Sequence, residues 1–145
     1  MRFACHLALF ATLSLPGASP AGNAAAVTST TLLKTATTWN GTPIVYSRTD
    51  KPEIQTVIVE LAPGAATAWH LHPVNNIAYI LEGKLRLELE NGITREFKQG
   101  ESFAELVNTA HRGVNVGHGP LKILVVYAGE VGTPISIPKD PRHVD

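Results

Sequence analysis

The feature that most constrains this chain is a β-hairpin spelled out by alternation. Leu85, Leu87 and Leu89 interleave with Lys84, Arg86, Glu88 and Glu90, Asn91-Gly92 follows, and Ile93, Arg95 and Phe97 return against Thr94, Glu96 and Lys98. A period of two buries one face of a strand and wets the other, and Asn-Gly is the tight turn that joins two such strands. The same vocabulary recurs on both sides. Gln55–Leu61 is β-branched and apolar and ends at Pro63-Gly64, and Leu121–Ala128 reads as a central strand preceded by a Gly117-His118-Gly119-Pro120 turn. No segment keeps helical periodicity for three turns, and no repeat is present after the first residues. The chain is therefore expected to be all-β. At 145 residues it suits one modest core, and closing short strands into a small barrel or jelly roll removes their exposed edges.

The N-terminus stands apart. Arg2 gives a positive start, Phe3–Leu15 is an apolar run too short to span a bilayer, and Pro16–Ala26 is rich in small residues and ends Ala24-Ala25-Ala26. Residues 1–26 read as a secretory signal, with a mature domain over 27–145, a core over about 31–130 and a tail over 131–145. The expected location is periplasmic or secreted, with no stable membrane insertion after cleavage. Cleavage would remove Cys5, the only cysteine, so a disulfide is not expected. Twelve basic residues balance twelve acidic ones with no basic run longer than a pair, which argues against a nucleic-acid partner.

Chemistry is concentrated in three histidines. His70 and His72 are two apart, so on a strand through Ala65–His72 both imidazoles point to one side, about 6.5–7 Å apart along the chain. His111 follows about forty residues on, after a second glycine-led strand. Three imidazoles aimed at one point form a metal site, and imidazole serves iron, manganese, zinc, nickel and copper. His118 is expected in a turn, His143 in the tail and His6 in the leader.

The residues around these histidines resemble the two motifs of the cupin superfamily. Gly64–Gly83 (GAATAWHLHPVNNIAYILEG) has a glycine, five residues, His70, one residue, His72, three residues, a position usually Glu, six residues and a glycine. Gly100–Asn115 (GESFAELVNTAHRGVN) keeps the spacing of the second motif from Gly100 to His111 and Asn115. The wider pattern, with Thr38-Trp39-Asn40-Gly41 ahead of it, is similar to small bacterial single-domain cupins. The resemblance implies a cupin-like β-barrel (a double-stranded β-helix or jelly roll), His70, His72 and His111 as ligands of one divalent metal ion, a small-molecule substrate and a homodimer. The chain departs from the pattern at Asn76, where a glutamate is usual, and at Leu106 and Asn108, where proline and glycine are usual. Asn76 offers only a neutral carbonyl as a weak fourth ligand or pocket group. A shell of three imidazoles would leave the full divalent charge uncompensated and favour hydroxide or an anionic ligand.

Glu105 is the other carboxylate to weigh. On a strand through Ser102–Val107 it shares a face with Phe103, so a buried Phe103 turns Glu105 inward as a fourth ligand or proton carrier. The alternative is a solvent-facing side chain or a pair with Arg112. Asn115 is, with Asn76, a possible weak fourth ligand or pocket group, or could orient a ligand's neighbour through its amide. Gly113 either leaves room for substrate or marks a kink or bulge. Trp69 is expected to pack away from His70, Trp39 to anchor an N-terminal strand, and Tyr79 to face either the pocket or the outer sheet. The expected activity is that of a metal-dependent oxidoreductase of dioxygenase type, with Glu105 as the catalytic carboxylate. The alternatives are a metal-dependent isomerase, lyase or hydrolase, or a non-catalytic binder of a small ligand.

Overall fold

The computed structural model describes residues 27–139; the leader reading of residues 1–26, and with it His6 and Cys5, lies outside the described residues, as does His143. Nine strands form two antiparallel sheets, and no helix occurs among the described residues. The four-stranded sheet holds β1 (Pro52–Leu61), β8 (Leu121–Glu130), β3 (Asn75–Glu82) and β6 (Ser102–Ala104), side by side in that order. The five-stranded sheet runs β5 (Thr94–Lys98), β4 (Lys84–Leu89), β7 (His111–Asn115), β2 (His70–Leu71) and β9 (Ile137–Pro138). This is the all-β jelly roll expected from the alternation.

The core sits where the alternating apolar faces of the two sheets meet. On β8, Leu121, Ile123, Val125 and Tyr127 are buried, and on β4 Leu85, Leu87 and Leu89 oppose them. Phe97 and Phe103 stack with ring centroids 3.9 Å apart, joining β5 to β6 across the interior. Burial of each large apolar side chain contributes about 1.5–3 kcal/mol, so the two alternating faces account for much of the drive to fold. β1 and β8 pair without interruption from Pro52–Glu130 to Leu61–Leu121, which makes β8 the central strand its sequence indicates.

Three expectations change. The strand read over Ala65–His72 forms a regular ladder only at His70–Leu71. Before that the chain follows β7 through single bonds, and the Thr67 hydroxyl accepts the Gly113 N–H at 3.0 Å, a partner that a continuous ladder would reserve for a carbonyl. Trp39 lies in a turn rather than a strand: Gly41 N–H donates to the Thr38 carbonyl, and Asn40 Oδ1 accepts from Thr38 and Thr42. Its anchoring role survives, because Trp39 N–H donates to the Ala104 carbonyl and its own carbonyl accepts from Arg95. Residues 131–139 are not a tail, since β9 pairs with β2 and Lys139 N–H donates to the Trp69 carbonyl.

The motif glycines end or begin strands. Gly83 and Gly100 both have φ near +85° to +88°, a region open chiefly to glycine. They differ in surroundings: a Cβ on Gly83 would lie 2.5 Å from the Pro120 carbonyl oxygen, whereas one on Gly100 meets nothing within 4 Å. Gly83→Ala is expected to destabilise the fold by more than about 2 kcal/mol and Gly100→Ala by only about 1 kcal/mol, the cost of a left-handed alanine alone. Urea unfolding of the two variants checks this; equal losses would mean that the Pro120 contact yields freely.

Candidate metal centre

His70 and His111 are direct cross-strand partners on β2 and β7, so their side chains leave the same face of the five-stranded sheet. His72 is two residues farther along and joins them. Ring centroids lie 4.6 Å apart for His70–His111, 4.9 Å for His70–His72 and 5.0 Å for His72–His111. One nitrogen from each ring can serve a common ion, and these atoms all lie within 4.8 Å of one another. His72 and His111 are buried and His70 is half-buried.

Each ring is held from behind. The Nδ1 atoms of His70, His72 and His111 lie 2.8, 2.6 and 2.8 Å from the carbonyl oxygens of Ala68, Ile135 and Thr109. A carbonyl can only accept, so each Nδ1 carries the proton and donates, and in the neutral ring Nε2 keeps its lone pair. Locking the far nitrogen to an acceptor is how metal-binding imidazoles are oriented.

Glu105 enters from the other sheet, just past β6, and is 8 % exposed. Its Oε2 is 3.2 Å from His72 Nε2 and its Oε1 3.1 Å from His111 Nε2. Glu105 does point inward, but not by strand phase: the strand expected over Ser102–Val107 ends at Ala104, and Phe103, Ala104, Glu105 and Leu106 are all buried without alternation. The alternative pairing is absent: Arg112 bonds Glu88 through Nε and Nη2, both at 2.8 Å, and lies over the Trp69 ring. His111 Nε2 is buried and has no aligned hydrogen bond despite its closeness to Glu105. An imidazole lone pair and a carboxylate oxygen at this separation repel unless a proton or a cation stands between them.

Charge on the cluster follows from the same geometry. Burial favours a neutral Glu105, but the ring nitrogens of His111 and His72 outweigh burial and hold the carboxyl well below the usual range. Burial also opposes charge on His111, and Glu105 reverses that and raises its pKa above the ordinary value. His70 is lowered, by burial first and then by the neighbouring imidazoles, and so keeps its lone pair available. Tyr127, with its ring centroid 5.2 Å from that of His72, is pushed up to about 12 by burial and by the charge of Glu105, which leaves a neutral phenol at the site.

Asn76 lies on β3 opposite Tyr127, buried, with both side-chain amide atoms free of any partner. Its main-chain carbonyl accepts the Glu105 N–H, so the residue at the usual glutamate position also fixes the backbone of Glu105. Glu105 restores one unit of negative charge beside the histidines, which revises the expectation of a purely neutral shell. Asn115 is not a pocket group. Its amide donates to the Leu61 and Gly119 carbonyls and accepts from Gly117 N–H, which ties the end of β7 to the loop before β8. Asn108 adopts φ 53° where the motif usually has glycine, a conformation asparagine tolerates, and its N–H donates to the His72 carbonyl. Tyr79 lies on the outer face with Ile77, and His118 is exposed in its turn.

Two participants escaped the sequence reading. Tyr127 could have been found from Lys122, because a solvent-facing lysine on β8 places every odd position of the strand inward. The Ile135 carbonyl behind His72 left no signal, since any residue has one.

The cupin domain family matches residues 57–127, spanning both histidine motifs. The protein is a small cupin. No curated protein is significantly similar to this cupin in sequence. Among solved structures, the DMSP lyase DddQ from Ruegeria pomeroyi superposes with a TM-score of 0.52 at 20 % identity, covering 72 % of this chain and 49 % of that one. The oxalate decarboxylase formate complex from Lactobacillus farciminis gives a TM-score of 0.51 at 24 % identity over 59 % of this cupin and 26 % of that chain. A double-stranded β-helix protein from Klebsiella pneumoniae gives 0.50 at 20 % identity over 66 % and 86 %. The cupin thus spans half or less of the length of the two enzymes, and the likeness establishes the shared fold.

The His111–Glu105 pair and a bound metal ion predict opposite pH responses on the alkaline side. In metal-free protein the raised His111 contributes stability that is complete below about pH 6.5 and fades as pH rises through its folded value. The lowered Glu105 contributes above about pH 4.5 and fades as pH falls, so their joint contribution peaks between the two. Metal reverses the slope on the alkaline side, because protons compete with it for the same lone pairs. The lowered His70 contributes the opposite slope, so the readout is a difference: in thermal melts at pH 5.5 and pH 8 the metal-free parent should lose more stability, or gain less, on going alkaline than Glu105→Gln, and the metal-loaded parent should gain stability. A Glu105→Gln slope equal to the parent's would show that the pair contributes nothing.

Proposed function

We propose that this is an exported, metal-dependent cupin enzyme that binds one divalent ion through His70, His72, His111 and Glu105 and acts on a small molecule with dioxygen as co-substrate. One observation carries the metal: a buried carboxylate 3.1–3.2 Å from two imidazole nitrogens whose opposite ring atoms already donate to carbonyls. A cation among these groups turns repulsion into binding. Three nitrogens and one oxygen suit iron, manganese, nickel, copper or zinc rather than a hard cation such as calcium. A redox-active iron or manganese, when bound, supplies the electron exchange and open coordination positions that oxygen chemistry needs.

The chain's own groups define the rest of the site. The three carbonyl-locked imidazoles hold their orientation while ligands exchange. Glu105 lowers the net charge and is the acidic side chain that lies against the histidine cluster, placed to take a substrate's proton. Tyr127 offers a neutral hydroxyl donor, and the free Asn76 amide offers a donor and an acceptor that a ligand can satisfy. A buried amide with no partner costs about 1–3 kcal/mol, so a ligand that occupies it regains that energy.

The isomerase, lyase or hydrolase reading uses the same residues with Glu105 as proton carrier and zinc, nickel or manganese as Lewis acid. The outer face of the four-stranded sheet leaves Ile54, Ile58 and Ile77 at 67 %, 50 % and 50 % exposure, which supports pairing of two copies there. A monomer mass by light scattering would remove the dimer from the proposal. N-terminal sequencing of exported protein, expected to begin near Val27, tests the leader.

Oxygen-electrode assays against small organic acids and sugars test the reaction. Uptake is expected with iron or manganese, with a loss of at least a hundredfold in His111→Ala. Turnover under nitrogen with zinc, abolished in Glu105→Gln, would replace the oxygenase with the Lewis-acid enzyme. Ligand-induced stabilisation without consumption would make the protein a binder.

A further inference from the structure

A small chamber opens beside the histidine cluster, inside the barrel. Its volume is about 60 Å³, and its walls are the apolar side chains of Leu85, Leu87, Phe103, Ile123 and Val125. Polar groups are confined to Thr67 and to His70, His111, Glu105 and Tyr127 of the cluster itself. A single water needs roughly 15 Å³ on this measure, and a cavity of about 150 Å³ lined by similar side chains stays dry and holds benzene or xenon. The chamber lies between these sizes. Water can find hydrogen bonds only at the cluster end and at Thr67, whereas the rest of the wall suits an apolar molecule of two or three heavy atoms.

Gly113 belongs to the same wall. It sits on β7 between His111 and Asn115, buried, with no positive φ and with unbroken pairing to β4 on either side, so neither a kink nor a bulge explains a glycine there. What a side chain would meet does explain it. A Cβ at 113 would lie 3.0 Å from Leu85 Cδ1 and 3.9 Å from Leu87 Cδ2, and would press on the two leucines that wall the chamber. Leu85 is 2 % exposed and also walls the chamber, so the room into which its tip can yield is the chamber itself.

We propose that this chamber admits an apolar molecule the size of dioxygen next to the histidine cluster, excludes organic substrates from that side, and is kept open by the missing side chain of Gly113. The identity of the occupant as a co-substrate rests on the oxygenase reading; the chamber's selectivity for small apolar molecules does not.

Xenon, which matches the chamber in size and polarity, is the probe. Titration of the purified protein with dissolved xenon, followed by ¹²⁹Xe and protein methyl NMR, should show saturable binding with shifts at Leu85, Leu87 and Val125. Gly113→Ala should weaken that binding at least tenfold with metal content unchanged. Val125→Ile narrows the same space from the opposite sheet and should act alike, which keeps the test intact if Gly113→Ala fails to fold. Gly119→Ala, in an open turn with nothing within 4 Å of its Cβ, should bind xenon as the parent does. Absent binding in the parent, or undiminished binding in both narrowing variants, would overturn the chamber. Xenon binding in a protein that consumes no oxygen would uphold the chamber and remove the oxygenase reading.

Discussion

The structure turns on one contact: the Glu105 carboxylate set against the Nε2 atoms of His72 and His111 in a place water hardly reaches. Buried charge is tolerated only when paired, and here the partners are rings whose protons are already committed to carbonyls on the far side. The contact also joins the two sheets. The histidines come from β2 and β7 of one sheet, and Glu105 from the end of β6 in the other. Whatever neutralises that cluster, protons or a metal ion, therefore holds the barrel together as well as equipping it.

Much of the scaffold can be understood as support for that meeting point. β7 is fixed at one end by Asn115, whose amide is fully engaged with backbone, and at the other by Thr109 behind His111. β2 is only two residues long, yet it lies between β7 and β9, so His70 is positioned from both sides. The C-terminal return that brings in β9 also brings the Ile135 carbonyl to His72. Residues beyond the apparent core thus complete the site.

The hairpin and the central strand were legible because alternation and an Asn-Gly turn are local signals, and β4, β5 and β8 lie where those signals put them. The three histidines were legible because two-residue spacing on an extended chain and motif spacing agree. Glu105 was half legible: its inward direction was expected from a strand that in fact ends at Ala104, and its partner depended on which side of the barrel Arg112 faced, and Arg112 was taken by Glu88. The shortness of β2 was hidden in a side chain, since only the fold shows Thr67 standing where a carbonyl would bond Gly113. Asn115 was misjudged for a related reason. An amide at a motif position says that its hydrogen bonds matter, not whether they go to a ligand or to the backbone.

The most direct test of the central claim is elemental analysis of the protein beginning near Val27, purified without chelator or nickel resin, beside a His70→Ala/His72→Ala double variant. The account predicts about one equivalent of a single divalent transition metal in the parent and almost none in the variant. A parent that is metal-free, folded and unable to take up metal on reconstitution would contradict it, and would leave the Glu105 contact as a proton-bridged structural pair.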